Sequence, residues 1–292
     1  MMDEKTGKEK ARKHYDQGAE EYIEQYQEGY KEYPANFIRL NLIIEQLKKS
    51  KCKTVLDAGC GTCGPMIRLL REGFEVAGFD FSQEMVEQGK KELAKAGYSP
   101  ELVYYADLEN AASLQKKKFD AIIALGVFPH ILDDTKALTH MRHILNPGGT
   151  VYIECRNALF ATYTLNKYSL DFFLNKVIDI ATLPTDVSDA VVAFYSERLK
   201  VDKPIKTVEG KVLYTDILAK FHNPLTIGGE LFAPCDFSIT NIHFYHYHAL
   251  PPIFESTYPK LFRELSLKLE RPNDWRGYVM ASAFVVEAKS NS

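Results

Sequence analysis

The sequence predicts a doubly wound α/β core, a seven-stranded and mostly parallel sheet with helices on both faces. Three observations carry this expectation. Short β-branched or apolar runs at 54–56, 75–79, 102–105, 121–125 and 150–155 alternate with helical patterns at 65–72, 83–96 and 135–144. That rhythm implies βαβ units, parallel pairing and right-handed crossovers. A glycine-rich turn stands directly between the first run and the first helical pattern, and two late runs, 238–248 and 278–288, flank a helical pattern near 255–269. Five βα-type strands and two late ones make seven, with the last strand expected to run antiparallel.

The elements follow in order. Tyr15, Tyr22, Tyr26, Tyr30 and Tyr33 recur at spacings of about four, which places most of them along one helical stripe that must cover something. Phe37, Leu40, Ile44 and Leu47 mark a second amphipathic helix, ending in Lys48, Lys49 and Lys51, where cations suit a helix C-terminus. Residues 1–50 therefore read as an N-terminal helical lid and 51–156 as the core. After Arg156 the rhythm breaks. Aromatic-rich helical stretches near 166–180 and 186–198 precede a less regular region to Asp236, so 157–236 read as a cap inserted between strands five and six. Residues 237–292 return to complete the core. The cap carries Tyr163, Tyr168, Phe172, Phe173, Phe194 and Tyr195, enough aromatic surface either to close a pocket or to pack the cap itself.

Composition excludes several classes. The chain has 292 residues, 46% hydrophobic and 26% charged, which suffices for a large core. A net charge of -3 gives no overall basic footprint for nucleic acid or anionic lipid. No apolar run approaches the ~20 residues that cross a bilayer, and residues 1–13 lack the apolar core of a signal peptide, so a cytoplasmic location without membrane attachment is expected. Five cysteines, an odd number in a core-bearing chain, point to reduced thiols. Cys60 and Cys63 form a C-x-x-C with no second pair to complete four metal ligands, and no metal is expected.

The chemistry is concentrated in Val55-Leu56-Asp57-Ala58-Gly59-Cys60-Gly61-Thr62-Cys63-Gly64-Pro65. Gly59 and Gly61 permit a tight turn and close backbone approach by a ligand, and Pro65 suits a first helical turn. Gly59, Gly61 and Gly64 also satisfy the G-x-G-x-x-G spacing of dinucleotide-binding proteins, with Asp80 at the expected distance downstream. Asp57 weighs against that alternative, because its carboxylate beside the turn would repel a pyrophosphate and attract an ammonium group.

With these residues the chain resembles the class I S-adenosylmethionine (SAM) dependent methyltransferases, in their small-molecule, ubiquinone/menaquinone methyltransferase-like branch. The resemblance implies a Rossmann-like fold that binds SAM and releases S-adenosylhomocysteine. It implies that Asp57, Ala58, Gly59, Cys60 and Gly61 contact the methionine part, and that Asp80, with Phe81 beside it, holds the ribose hydroxyls. Asp107 and Leu108 meet the adenine, and Leu125 borders the cofactor at the end of strand four. Cys63 departs from the family pattern, which often has a third glycine there. Asn146-Pro147-Gly148-Gly149 matches the family's turn before strand five. Tyr15 and Tyr26 are candidates for a cofactor lid, with a simple docking helix as the alternative. Arg39 could reach the SAM carboxylate or be an ordinary surface arginine.

Methyl transfer from a sulfonium mainly requires alignment and exclusion of water. If the acceptor is a hydroxyl, His130, just after strand four, is the candidate base. Arg156 and Asn157, at the end of strand five, are candidate acceptor-binding residues. His246 and His248 share one strand face and His243 the other, which disfavours a three-histidine metal site. Asp133 and Asp134 read as acids at a helix N-terminus. The expected partner is a small-molecule acceptor, a polar or sugar-containing metabolite methylated on a hydroxyl or amine, with the enzyme a monomer or homodimer. An RNA or protein methyltransferase and a SAM-binding protein without activity remain the alternatives.

Overall fold

The computed structural model describes Lys10, Tyr26, Tyr30 and residues 33–114, 117–199 and 219–291. Helix α1, Ala35–Lys49, buries Leu40, Ile43, Ile44 and Leu47. It leads into β1, Thr54–Ala58, then α2, Gly64–Arg71, and β2, Glu75–Asp80. Helix α3, Gln83–Lys95, starts at an N-cap serine, Ser82, whose hydroxyl accepts the Met85 N–H. Then come β3, Val103–Tyr105, β4, Phe119–Ala124, α4, Asp134–His143, and β5, Leu145–Arg156.

The seven strands form one sheet in the order β3-β2-β1-β4-β5-β7-β6, with β6 spanning Phe237–Tyr247 and β7 Ala281–Ser290. β1 pairs in parallel with β2 and β4, and β4 with β5, while β7 runs antiparallel to both β5 and β6. Successive strand residues point to opposite faces. Val55 joins the core made by α1, α2 and α3, whereas Leu56 joins the opposite core with Leu138 and Met141 of α4. The chain thus turns to opposite faces after β1 and after β4, and the crevice between their carboxyl ends is where such sheets bind ligands.

The segment between β5 and β6 holds α5, Ala161–Thr164, α6, Lys167–Phe172, and α7, Thr185–Leu199. The helical stretch expected over 166–180 is broken, because the chain passes from α6 into a π-helical turn, Phe173–Ile178, and then a left-handed residue, Asp179. Strand β5 begins at Leu145, not at 150: Leu145 already pairs with Phe119, and Asn146-Pro147-Gly148-Gly149 form an irregularity inside the strand. Near the end, α8 spans Pro259–Leu269 and starts later than the pattern near 255 suggested, since Pro252–Phe254 form a separate 3-10 turn. Residues 278–280 belong to α9, Gly277–Met280, so the last strand starts at Ala281.

Candidate cofactor and acceptor site

The turn after β1 is held from the neighbouring strand. Gly59 and Cys60 donate their N–H groups to Phe79 O at 2.8 and 3.0 Å, and Gly61 N–H donates to Asp80 Oδ2 at 2.9 Å. Asp80 Oδ1 accepts the Ser82 N–H at 2.9 Å, so this one carboxylate braces the glycine turn against the start of α3. Gly59 has φ +80°, and a Cβ there would lie 2.4 Å from Val127 Cγ2. Only glycine meets both conditions.

Asp57 is buried at the end of β1, and its Oδ2 meets no hydrogen-bond partner. Burial, reinforced by Asp80 and opposed by Arg39, pushes its carboxyl up to about 7. A buried carboxylate oxygen in that state is suited to a cationic ligand group, because an ammonium supplies both the missing hydrogen bond and the compensating charge. Ala58 is buried in the core beneath the turn. Asp107 Oδ1 accepts the Glu109 N–H, and the Leu108 carbonyl pairs with His140 Nδ1 at 2.8 Å, which fixes the loop after β3. Leu125 is buried beside Gly126 at the end of β4, and Phe81 follows Asp80 at the end of β2.

Arg39 is no surface arginine. It is buried on α1, ion-paired with Glu154 of β5, and its Nη2 donates to Tyr26 Oη at 2.8 Å. Tyr26 in turn packs near Gly64, at the start of α2. Glu154 also accepts the Gly126 N–H and, at 2.5 Å, the Tyr245 hydroxyl. Burial alone would raise its pKa, but Arg39 and the Tyr245 hydrogen bond more than offset that, and the carboxyl is held below its ordinary value. Sequence reasoning missed Glu154, although a lone acid in the apolar run of β5 was a readable signal. Tyr15 lies outside the described residues.

A cavity of about 1740 Å³ opens beside the glycine turn, not over it. Glu154 lines the cavity and also holds Gly126, just after β4. Arg156, Asp134, His222, His246 and His248 also line it, whereas His130 does not. His130 is buried in the 3-10 turn Phe128–His130, where its N–H donates to Val127 O. Asn157 reaches the cavity wall, but its side-chain nitrogen donates to the carbonyls of Gly277, Tyr278 and Ala281, and its oxygen accepts the Leu159 N–H. Its amide is therefore committed to tying the end of β5 to α9 and β7.

His246 and His248 have rings 4.7 Å apart, and Tyr33 stacks on His246 at 4.8 Å. His243 instead pairs with Glu287. Asp133 accepts the Lys136 N–H as the cap of α4, while Asp134 turns to Lys220 and His222. Cys60 and Cys63 are free thiols with sulfurs 4.0 Å apart, buried against Gly78 and Gly89. Burial, with Cys63 close by, pushes the Cys60 thiol well above its ordinary value, the behaviour of a packing cysteine.

Residues 55–149, the segment that builds this turn and the loops facing it, match the family model described as a methyltransferase domain. By this match, residues 55–149 form a methyltransferase domain. Over 131 residues it is 35% identical to an uncharacterized protein of Haemophilus influenzae, covering 42% of this chain and 52% of that one. Over 142 residues it is 24% identical to the ubiquinone biosynthesis O-methyltransferase of Serratia proteamaculans, covering 49% and 58%. The chain thus spans little more than half the length of these curated relatives. The methyltransferase fold extends further: magnesium protoporphyrin IX methyltransferase from Synechocystis, solved with bound S-adenosylhomocysteine, aligns over 96% of this chain and 98% of its own, with TM-score 0.52 and 15% identity. Among the described residues no helix is long and apolar enough to cross a membrane.

Proposed function

We propose that this protein transfers a methyl group from SAM to a small-molecule acceptor, a hydroxyl or amine of a polar or sugar-containing metabolite. The observation that carries the reading is the buried, unpartnered Asp57 Oδ2 beside a glycine turn that only glycine can form. When bound, SAM supplies an activated methyl group on a sulfonium. Asp57 and the backbone of Ala58, Gly59, Cys60 and Gly61 receive the methionine part, and Asp80 and Phe81 the ribose. Asp107 and Leu108 receive the adenine, and Leu125 borders the cofactor. Arg39, presented by α1 and held by Glu154, faces the amino-acid end, with Tyr26 closing over it.

The acceptor enters the cavity on the far side of Glu154. Its wall mixes charged groups such as Arg156, Asp134 and Lys220 with aromatic rings, which suits a polar acceptor. Residues 157–236 act as the cap of this cavity and 1–50 as a lid, and both keep water from the reacting atoms. The O-methyltransferase relatives support an oxygen acceptor. A cytoplasmic, monomeric or homodimeric enzyme completes the reading.

The test is radiolabel transfer from methyl-labelled SAM into a heat-treated whole extract of the source cells. Label in a small molecule that depends on Asp57 supports the proposal. Label only in RNA or protein, or none despite SAM binding, overturns it.

A further inference from the structure

Asp134, Lys220 and His222 form a cluster in the cavity wall that the cofactor site does not use. Asp134 opens α4, directly after the capping Asp133. The segment carrying Lys220 and His222 is stitched across the carboxyl ends of two core strands. Lys220 N–H donates to Pro129 O at 2.9 Å, in the turn after β4. His222 N–H donates to Arg156 O at 2.8 Å, and Ala158 N–H donates back to His222 O at 2.9 Å, beside the end of β5. The imidazole therefore stands at the reactive edge of the sheet.

Its hydrogen bonding fixes its chemistry. Nε2 lies 3.1 Å from Asp134 Oδ2, and Lys220 Nζ lies 2.5 Å from Oδ1. A carboxylate so engaged accepts and does not donate, so Nε2 carries the proton of the neutral ring and Nδ1 keeps the lone pair. That Nδ1 is buried and meets no hydrogen-bond partner. Besides Asp134 and Lys220, the charged groups in the same cavity wall are Asp133, Glu154, Arg156, Asp171, Lys176 and Glu230. None of the other cavity histidines has a carboxylate anchor of this kind: His246 and His248 pack on rings, and His248 is wedged between Phe160 and Phe262.

We propose that His222 is the general base of the reaction, held in tautomer and orientation by Asp134 as a positioning residue, and that the acceptor is a hydroxyl. This rests on the methyltransferase reading above. The acceptor O–H proton passes to the Nδ1 lone pair. The oxygen forms its new bond to the sulfonium methyl carbon as the carbon–sulfur bond breaks and its electron pair stays on sulfur. The products are a methyl ether, S-adenosylhomocysteine and an imidazolium that returns its proton to water. A base of this kind contributes ~10²- to 10⁴-fold.

Two measurements test it. In ¹⁵N-histidine spectra of the protein saturated with S-adenosylhomocysteine, His222 is expected as the Nε2–H tautomer, a preference expected to weaken in Asp134→Asn. An Nδ1–H tautomer, or a His222 signal indifferent to that substitution, overturns the proposal. In labelled transfer to the source-cell extract, His222→Gln is expected to lose ~100-fold in rate, with S-adenosylhomocysteine affinity within about twofold of wild type. The acid limb of the pH–rate profile should vanish in that variant, and Asp134→Asn should lower kcat while leaving S-adenosylhomocysteine affinity within about twofold of wild type. Activity within about threefold of wild type in His222→Gln, or an unchanged acid limb, overturns the base role while leaving methyl transfer standing. Absence of transfer by the wild type overturns the underlying reading and this proposal with it.

Discussion

At the residue scale, Asp57 and the paired histidines give opposite contributions to stability. The Asp57 carboxyl sits at about 7 against an ordinary 3.8, so between those values the folded chain holds more proton than the unfolded one, and this group makes stability fall as pH rises. Burial pushes His246 down to about 4 and, with His246 beside it, His248 down to about 2. They fold neutral, so their contribution is present above about 6.5 and is lost as pH falls toward 4. Two histidines outweigh one carboxyl. Denaturation of the unliganded protein is expected to show stability rising from about pH 4 to 6.5, and Asp57→Asn is expected to steepen that rise. A variant curve parallel to wild type would show that Asp57 is not raised.

Gly59 allows an equally sharp statement. Gly59→Ala meets both the positive φ and Val127 Cγ2, so a loss of ~1–3 kcal/mol is expected from chemical denaturation. Val127→Ala in the same chain should recover part of it, because the collision goes while the backbone strain stays. Full recovery, or none, would contradict the geometry.

At the scale of elements, the Arg39–Glu154 pair joins α1 to β5 and, through Gly126 and Tyr245, to β4 and β6. Breaking a buried pair strands the remaining charge at a cost of ~3–5 kcal/mol, whereas replacing both partners with apolar residues of similar size is often neutral. Glu154→Gln is therefore expected to destabilise strongly and to speed hydrogen exchange in α1. The double variant Arg39→Met, Glu154→Met should regain most of the stability while still losing cofactor affinity. Equal losses in both would mean that the pair does not join the elements.

The elements also show what the sequence made legible. The strand order along the chain and helices α1 to α4 followed from hydrophobic period, because each helix has one buried face, and side chains of Ser82 and Asp133 cap α3 and α4. The errors fell where tertiary pairing overrode local signals. Asn146 to Gly149 read as a turn, yet pairing of Leu145 with Phe119 drew them into β5. Asn157 read as a polar group at the reactive edge, but its amide goes to three backbone carbonyls more than a hundred residues away. His222 carried no local signal, since the segment around it has neither periodicity nor motif and is placed by long-range bonds to Pro129, Asp134, Arg156 and Ala158.

For the whole molecule, the strand order places the glycine turn of β1 and the loop after β4 side by side, with Glu154 of β5 between them and the cavity. This topology divides the edge: the β1–β3 side carries the buried Asp57 and the Asp80 brace, while β4, β5 and the segment 219–223 contribute to the cavity wall. The glycine turn and the acids that flank it were readable in advance because they cluster within short motifs after successive strands. The cavity wall was not, because it is assembled from distant segments.

The central claim, that the glycine turn with Asp57 receives SAM, is tested most directly by calorimetric titration with SAM, S-adenosylhomocysteine and NAD, on wild type and Asp57→Ala. Binding of the first two by wild type, weakened at least ~10-fold in the variant as expected for loss of a buried charged contact, is the expected result. Binding of NAD without SAM would contradict it and return Gly59 to Gly64 to the dinucleotide reading.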